Sequence, residues 1–132
     1  MRRSIATALT VATLIAGTVA APAAFAGTAA AQAYSCGFNA MEPYAYAGYY
    51  EGMTVVPSSS GVSSSGIEAQ CLLRWAGFDP GTIDGVFGSN SRAAAKRFQT
   101  MMNNSYDYTL ATDGIVGSKT WPALRTYVCY RS

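Results

Sequence analysis

From residue 67 onward, apolar positions recur at helical spacing. In "IEAQCLLRWAG", residues Ile67, Cys71 or Leu72, and Trp75 or Ala76 fall on one face of a helix, and Gly77 is a natural stop. The stretch "SNSRAAAKRFQTMM" predicts a second helix with Ala94, Ala95, Phe98, Met101 and Met102 on a common face. "SKTWPALRTYVC" predicts a third, which turns Trp121, Leu124 and Val128 inward. Pro122 sits near its start, where a missing N–H costs little. Ahead of this region the pattern dissolves. Residues 27–65 read as irregular: "YAYAGYYEG" is rich in tyrosine and glycine, "MTVVP" could be a short strand ending at Pro57, and serines from Ser58 to Ser65 look like a connector. With so few aliphatic residues this part cannot build its own core. It is expected to drape over residues 66–132, with Tyr34, Tyr44, Tyr46, Tyr49 and Tyr50 serving as packing area before any role in stacking on a ligand.

The helical region is written twice. Asp84-Gly85 recurs 29 positions later as Asp113-Gly114, and Ala69-Gln70 falls opposite Phe98-Gln99 at the same offset. The unit is helix, loop, Asp-Gly turn, glycine, start of the next helix, and two copies are too few for a solenoid. Each shared letter has a structural task. Asp accepts hydrogen bonds from its own downstream backbone, and Gly85 and Gly114 take positive φ freely. Val86-Phe87 and Ile115-Val116 drop apolar side chains onto the core. Gly88 and Gly117 are expected to reverse the chain again, and the hydroxyls of Ser89 to Ser91 and Ser118 to Thr120 to cap the next helix.

Charge matters only once the start of the chain is set aside. Arg2 and Arg3, the uncharged apolar run from Ile5 to Ala21, and Ala24-Phe25-Ala26 form an export signal over residues 1–26, with a second possible cleavage site at Ala31-Gln32-Ala33. An uncleaved anchor is the rival, disfavoured because the run is built from Ala and Thr. The paired arginines lack the rest of a twin-arginine motif. Of nine basic residues two lie in the leader, so the remaining seven balance seven acids. The mature chain is near neutral, and only Arg92, Lys96 and Arg97 cluster, which gives no phosphate-binding surface and no nucleic-acid partner. It is expected to be a secreted or wall-associated monomer with no membrane contact after cleavage.

Three cysteines, Cys36, Cys71 and Cys129, enter an oxidising compartment, where a structural disulfide is the default. Cys36 is expected to pair with Cys71, which would pin the coreless segment to the first helix and leave Cys129 spare; Cys71 with Cys129, joining helices one and three, is the alternative. The chain has no histidine. That excludes His-based nucleophilic catalysis and His-ligated zinc, and no phosphate loop is written, so neither metal nor cofactor is expected. A carboxylate pair is the remaining enzymatic option. Asp84 and Asp113 tempt, but turns already explain both, and Glu42, Glu51 and Glu68 stand isolated.

"AQCLLRWAGFDPGTIDGVFGSNSRAAAKRFQ" followed by "DGIVGSKTWPAL" resembles the peptidoglycan-binding-like domain, a three-helix repeat module of secreted bacterial wall proteins. The matching positions are Ala69-Gln70, Gly77, Asp84-Gly85, Phe87-Gly88, Ser91, Ala94, Phe98-Gln99, Asp113-Gly114, Gly117, Thr120-Trp121 and Ala123-Leu124, within residues 66–125. Gly66 stands where the family's first helix carries an aliphatic residue, and Ala95 where the second carries Val, so a thinner core is expected at both. "TMMNNSYDYTLA" makes the second helix and loop about six residues longer than usual. The resemblance implies a mainly α fold and a non-catalytic protein that binds cell-wall peptidoglycan. A small wall hydrolase or a structural or inhibitory partner of another secreted protein are the alternatives. A wall glycopeptide needs a shallow groove with aromatic faces and polar groups. Phe87, Arg92, Tyr106, Tyr108 and Trp121, in or beside the turns and the long loop, are the candidate ligand contacts, with core packing the competing role for Phe87 and Trp121.

Overall fold

Three helices carry the structure: α1 (Ser64–Ala76), α2 (Ser89–Ser105) and α3 (Thr120–Arg131). A two-stranded antiparallel hairpin precedes them, β1 (Asn39–Met41) with β2 (Tyr44–Tyr46), in register Asn39 to Tyr46 and Met41 to Tyr44. This computed structural model describes residues 33–132, which fall within one compact unit; the expected leader and its first cleavage site lie outside the described residues. Among the described residues no helix is long and apolar enough to cross a membrane.

The inward faces of the helices are those that the spacing predicts. Leu72, Ala94, Ala95, Phe98, Trp121, Leu124 and Val128 are fully buried, while Met101 lies only half-buried at the rim. Helix α1 starts at Ser64, two residues ahead of the expected boundary. Its cap is Ser63, whose hydroxyl accepts the Gly66 N–H at 3.0 Å, and it ends on Gly77 in the left-handed region. The early start brings Gly66 inside the first turn, against the first corner. A Cβ at Gly66 would collide with the carbonyl oxygen of Gly85. Gly66 therefore does not thin the core: its bare Cα is what lets the first turn of α1 touch the first Asp-Gly corner. Ala95, its counterpart 29 positions on, is fully buried as well.

The segment before α1 is not irregular throughout. "MTVVP" forms no strand, and Val55 and Val56 are exposed. The paired strands lie farther upstream, where β2 buries Ala45 completely against the helices. Three-residue strands carry too short an alternation to be read from sequence. Cys36 and Cys71 are bonded, with Cα atoms 5.5 Å apart, which ties the segment to the middle of α1; Cys129 is free and buried.

Candidate functional site

Two buried glutamines organise the repeat. Gln70 accepts the Gly85 N–H on Oε1 at 2.8 Å. Its Nε2 donates to Asp84 Oδ1, to the Val86 carbonyl and to Ser91 Oγ at 2.9–3.0 Å. Gln99 repeats this pattern with Gly114, Asp113, Ile115 and Thr120. Each Asp also accepts the N–H two residues on, Val86 at 3.0 Å and Ile115 at 2.9 Å. The Asp-Gly pairs are thus corners, as expected, but the hydroxyls do not cap helices. Ser91 and Thr120 accept from the glutamine, and neither α2 nor α3 has a side-chain cap. Gly88 and Gly117 turn the chain as expected, without needing glycine's freedom. Each closes a tight turn, Gly88 N–H on the Val86 carbonyl at 2.8 Å and Gly117 N–H on that of Ile115 at 3.2 Å, but neither has a left-handed φ and a Cβ on either would meet open space, so the conformation that requires glycine belongs to Gly85 (φ 81°) and Gly114 (φ 75°).

The upstream segment lies across this framework as a strap. Ser58 accepts the Phe87 N–H at 2.9 Å, and Ser63 N–H reaches the Gly85 carbonyl at 3.1 Å. The Trp121 indole N–H donates to the Val55 carbonyl at 2.8 Å. Beneath the strap, Glu68 and Arg125 form an ion pair at 2.7 Å with both side chains wholly buried. Glu68 also accepts the N–H groups of Ala47, Tyr49 and Tyr50, and Arg125 donates to the carbonyls of Ala45, Tyr50 and Gly52. The guanidinium stacks between Tyr46, 4.4 Å from its ring centre, and Trp121 at 5.0 Å. Glu68 is therefore not isolated. Its carboxylate is consumed by four donors, and no sequence spacing joins residues 68 and 125. Burial alone would raise the Tyr50 phenol, yet the N–H groups of Val55 and Thr54 that donate to it, with Arg125 beyond, hold it below the ordinary tyrosine range.

The five candidate ligand contacts do not form one site. Phe87 and Trp121 are 2% and 0% exposed, so their rings are core. Arg92 is exposed and edges a cleft of about 160 Å³ between the strap and the second corner, with Ile115 opposite. A polar cleft of about 190 Å³, edged by Asp84, Thr82 and Asn90, opens beside the first corner. Tyr106 and Tyr108 lie elsewhere. Arg92 and Tyr106 are separated by 14 positions along α2, about 21 Å at the rise of a helix. The two tyrosines line a cleft of about 460 Å³ between the end of α2, the following loop and α3. Across it stand Tyr127, Tyr130 and Arg131, which spacing could have found: positions 130 and 131 lie three and four residues on from 127, so the three gather on one flank of α3 beside the face that carries Leu124 and Val128.

Residues 63–124 match a family model described as "Putative peptidoglycan binding domain". That span runs from the cap of α1 to the inward turn of α3 and includes both glutamines and both corners. No solved structure matches the chain.

Proposed function

We propose, for a chain whose residues 63–124 match that peptidoglycan-binding family, an exported protein that holds cell-wall peptidoglycan without cutting it. The match over both halves of the repeat carries this reading. Export rests on the charged start, apolar run and small-residue cleavage site of residues 1–26. The absence of catalysis rests on how the acids are used. Asp84 and Asp113 accept from their own turns and from Gln70 and Gln99, and Glu68 is neutralised by Arg125. A hydrolase working through a carboxylate pair needs one acid protonated and the other free to attack or activate water, about 5–10 Å apart across an open cleft. None of these three carboxyls is free in that sense.

Co-sedimentation with purified peptidoglycan, read beside the release of reducing ends and free amines, is the test. The mature chain is expected in the pellet, with no release above a heat-inactivated control. A protein wholly in the supernatant at low salt defeats wall binding. Soluble products above the control defeat the non-catalytic part.

A further inference from the structure

The geometry points to the tyrosine cleft at the end of α2 and α3 as a saccharide site, one that takes the sugar rings of the glycan strand rather than the peptide stems. It rests on the wall-binding reading and adds which polymer component is held, and where.

The strap removes the other aromatic surface from contention. Phe87 and Trp121 are in the core, and the chain's own residues 55–58 occupy the groups beside them. Of the three aromatic rings most open to solvent among the described residues, Phe38 rests edge-on against Trp75, and the other two gather at one place. Tyr106 and Tyr130 are 53% and 61% exposed, and both line the 460 Å³ cleft, a volume within the range of small-molecule sites, roughly 300–1,000 Å³. Tyr127 packs against both Tyr106 and the core residue Phe98. It meets Phe98 edge-on at 5.8 Å on one side and Tyr106 at 5.7 Å on the other, and the Arg131 guanidinium lies 5.8 Å from its ring centre. The loop is fixed too: Asn103 bonds both the N–H and the carbonyl of Leu110, at 2.7 and 2.8 Å. The cleft is therefore built from packed elements, with Tyr106 at the end of α2 against Tyr127 and Tyr130 in the last turn of α3.

The chemistry of the lining selects the occupant. Tyrosine faces accept the C–H face of a pyranose, while their phenols, Thr126 and Arg131 offer hydrogen bonds to ring hydroxyls and acetamido carbonyls. No carboxylate lines the cleft, so nothing there pairs the free amine of a stem peptide, and its one cation, Arg131, is engaged by the Trp75 carbonyl and by the hydroxyl and ring of Tyr127 rather than left free for a stem carboxylate.

The experiment uses the full mature chain, with Tyr130→Ala and Tyr106→Ser as variants, and the N-acetylglucosamine tetramer and a free stem tetrapeptide as soluble competitors. Melting curves accompany each variant. Both side chains are largely exposed, so melting within a few degrees of the parent is expected. The tetramer should release the parent from sedimented peptidoglycan, the tetrapeptide should not, and each variant should bind the tetramer about tenfold more weakly. If the parent pellets and both variants pellet equally well, the cleft is not the site and wall binding stands without it. Release by the tetrapeptide alone overturns the saccharide assignment. A parent that does not pellet removes the wall-binding reading and this one together.

Discussion

The two halves of the repeat share a mechanism and differ in cover. In both, 14 residues separate the glutamine from the aspartate it holds. The long second connection expected from the family pattern is thus a full counterpart of the first. Position by position, Arg74 reaches the Gly81 carbonyl as Asn103 reaches that of Leu110. What differs is what lies outside. The first corner sits under the strap, with Asp84 half-buried and its bond to Gln70 at 3.0 Å. The second lies at the surface, with Asp113 exposed and the matching bond stretched to 3.4 Å. At the helix ends the contrast reverses in use. Gly77 stops α1 in the left-handed region; in the second half that conformation falls one residue later, on Asp107 (φ 61°), which leaves Tyr106 and Tyr108 beside the open cleft. One copy has become the anchor for the upstream segment, and the other has kept a free surface.

The largest asymmetry should appear at positions 68 and 97, which the repeat makes equivalent. Glu68 is buried against Arg125; Arg97 is exposed and makes only a 3.4 Å bond to the Asp79 carbonyl. Glu68→Gln leaves a buried guanidinium without its counterion, which costs about 3–5 kcal/mol. A domain of this size should then melt more than about 10 °C lower. Arg97→Gln should cost under about 0.5 kcal/mol. Equal melting shifts for the pair would show that the strap adds nothing to the first half.

Next in size is the contact of helix with corner. Gly66→Ala forces a Cβ into the Gly85 carbonyl and should cost about 1–3 kcal/mol as an overpacked site. The counterpart, Ala95→Gly, loses a small buried side chain and helix propensity, about 1 kcal/mol. A Gly66→Ala protein that melts like its parent would mean that α1 and the first corner are not in contact in solution.

The aspartates give a smaller difference in a fixed direction. Both accept a turn N–H, so each Asp→Ala change leaves a donor unpaired, and Asp→Asn should be milder because the amide oxygen still accepts. Asp84→Ala should cost about 1–2 kcal/mol, since Asp84 is half-buried and also holds Gln70 at 3.0 Å. Asp113→Ala should cost about 0.5–1 kcal/mol, water replacing the lost acceptor. Melts beside sedimentation decide between corner and ligand site. An Asp113→Ala protein with an unchanged melt and no wall binding would make the second corner a binding element.

Whatever repeats or is periodic is legible in the sequence. Helix faces, the Asp-Gly corners and the equivalence of Gln70 with Gln99 all follow from spacing, and the Cys36–Cys71 pair follows from the need to hold a coreless segment. The features that spacing does not reveal are single, long-range pairings. Glu68 meets Arg125 across 57 positions and Trp121 meets Val55 across 66, and nothing local marks either. The glutamine's role is half visible: its recurrence can be seen, but not that one side-chain amide serves four partners. Position alone assigns the hydroxyls of Ser91 and Thr120 to helix capping, because it cannot distinguish a cap from an acceptor for Gln.

The smallest predicted effect separates letters shared for structure from letters merely shared. Gly85 and Gly114 have left-handed φ and close neighbours; a Cβ on Gly114 would sit 2.6 Å from the Arg92 carbonyl oxygen. Gly88 and Gly117 recur at the same offset, yet neither has a left-handed φ, and a Cβ on either would have no neighbouring atom within 4 Å. An alanine there fits the native backbone and restricts the unfolded chain, so Gly88→Ala and Gly117→Ala should leave stability unchanged or raise it by about 0.4–1 kcal/mol. The same change at Gly85 or Gly114 should lower it by more than that, through strain and collision together. Thermal melts of the four single variants measure this directly. Should Gly88→Ala or Gly117→Ala lose wall binding while melting at or above the parent, then the open space beside those glycines is room for ligand, and the recurring glycine is there for contact rather than for the corner.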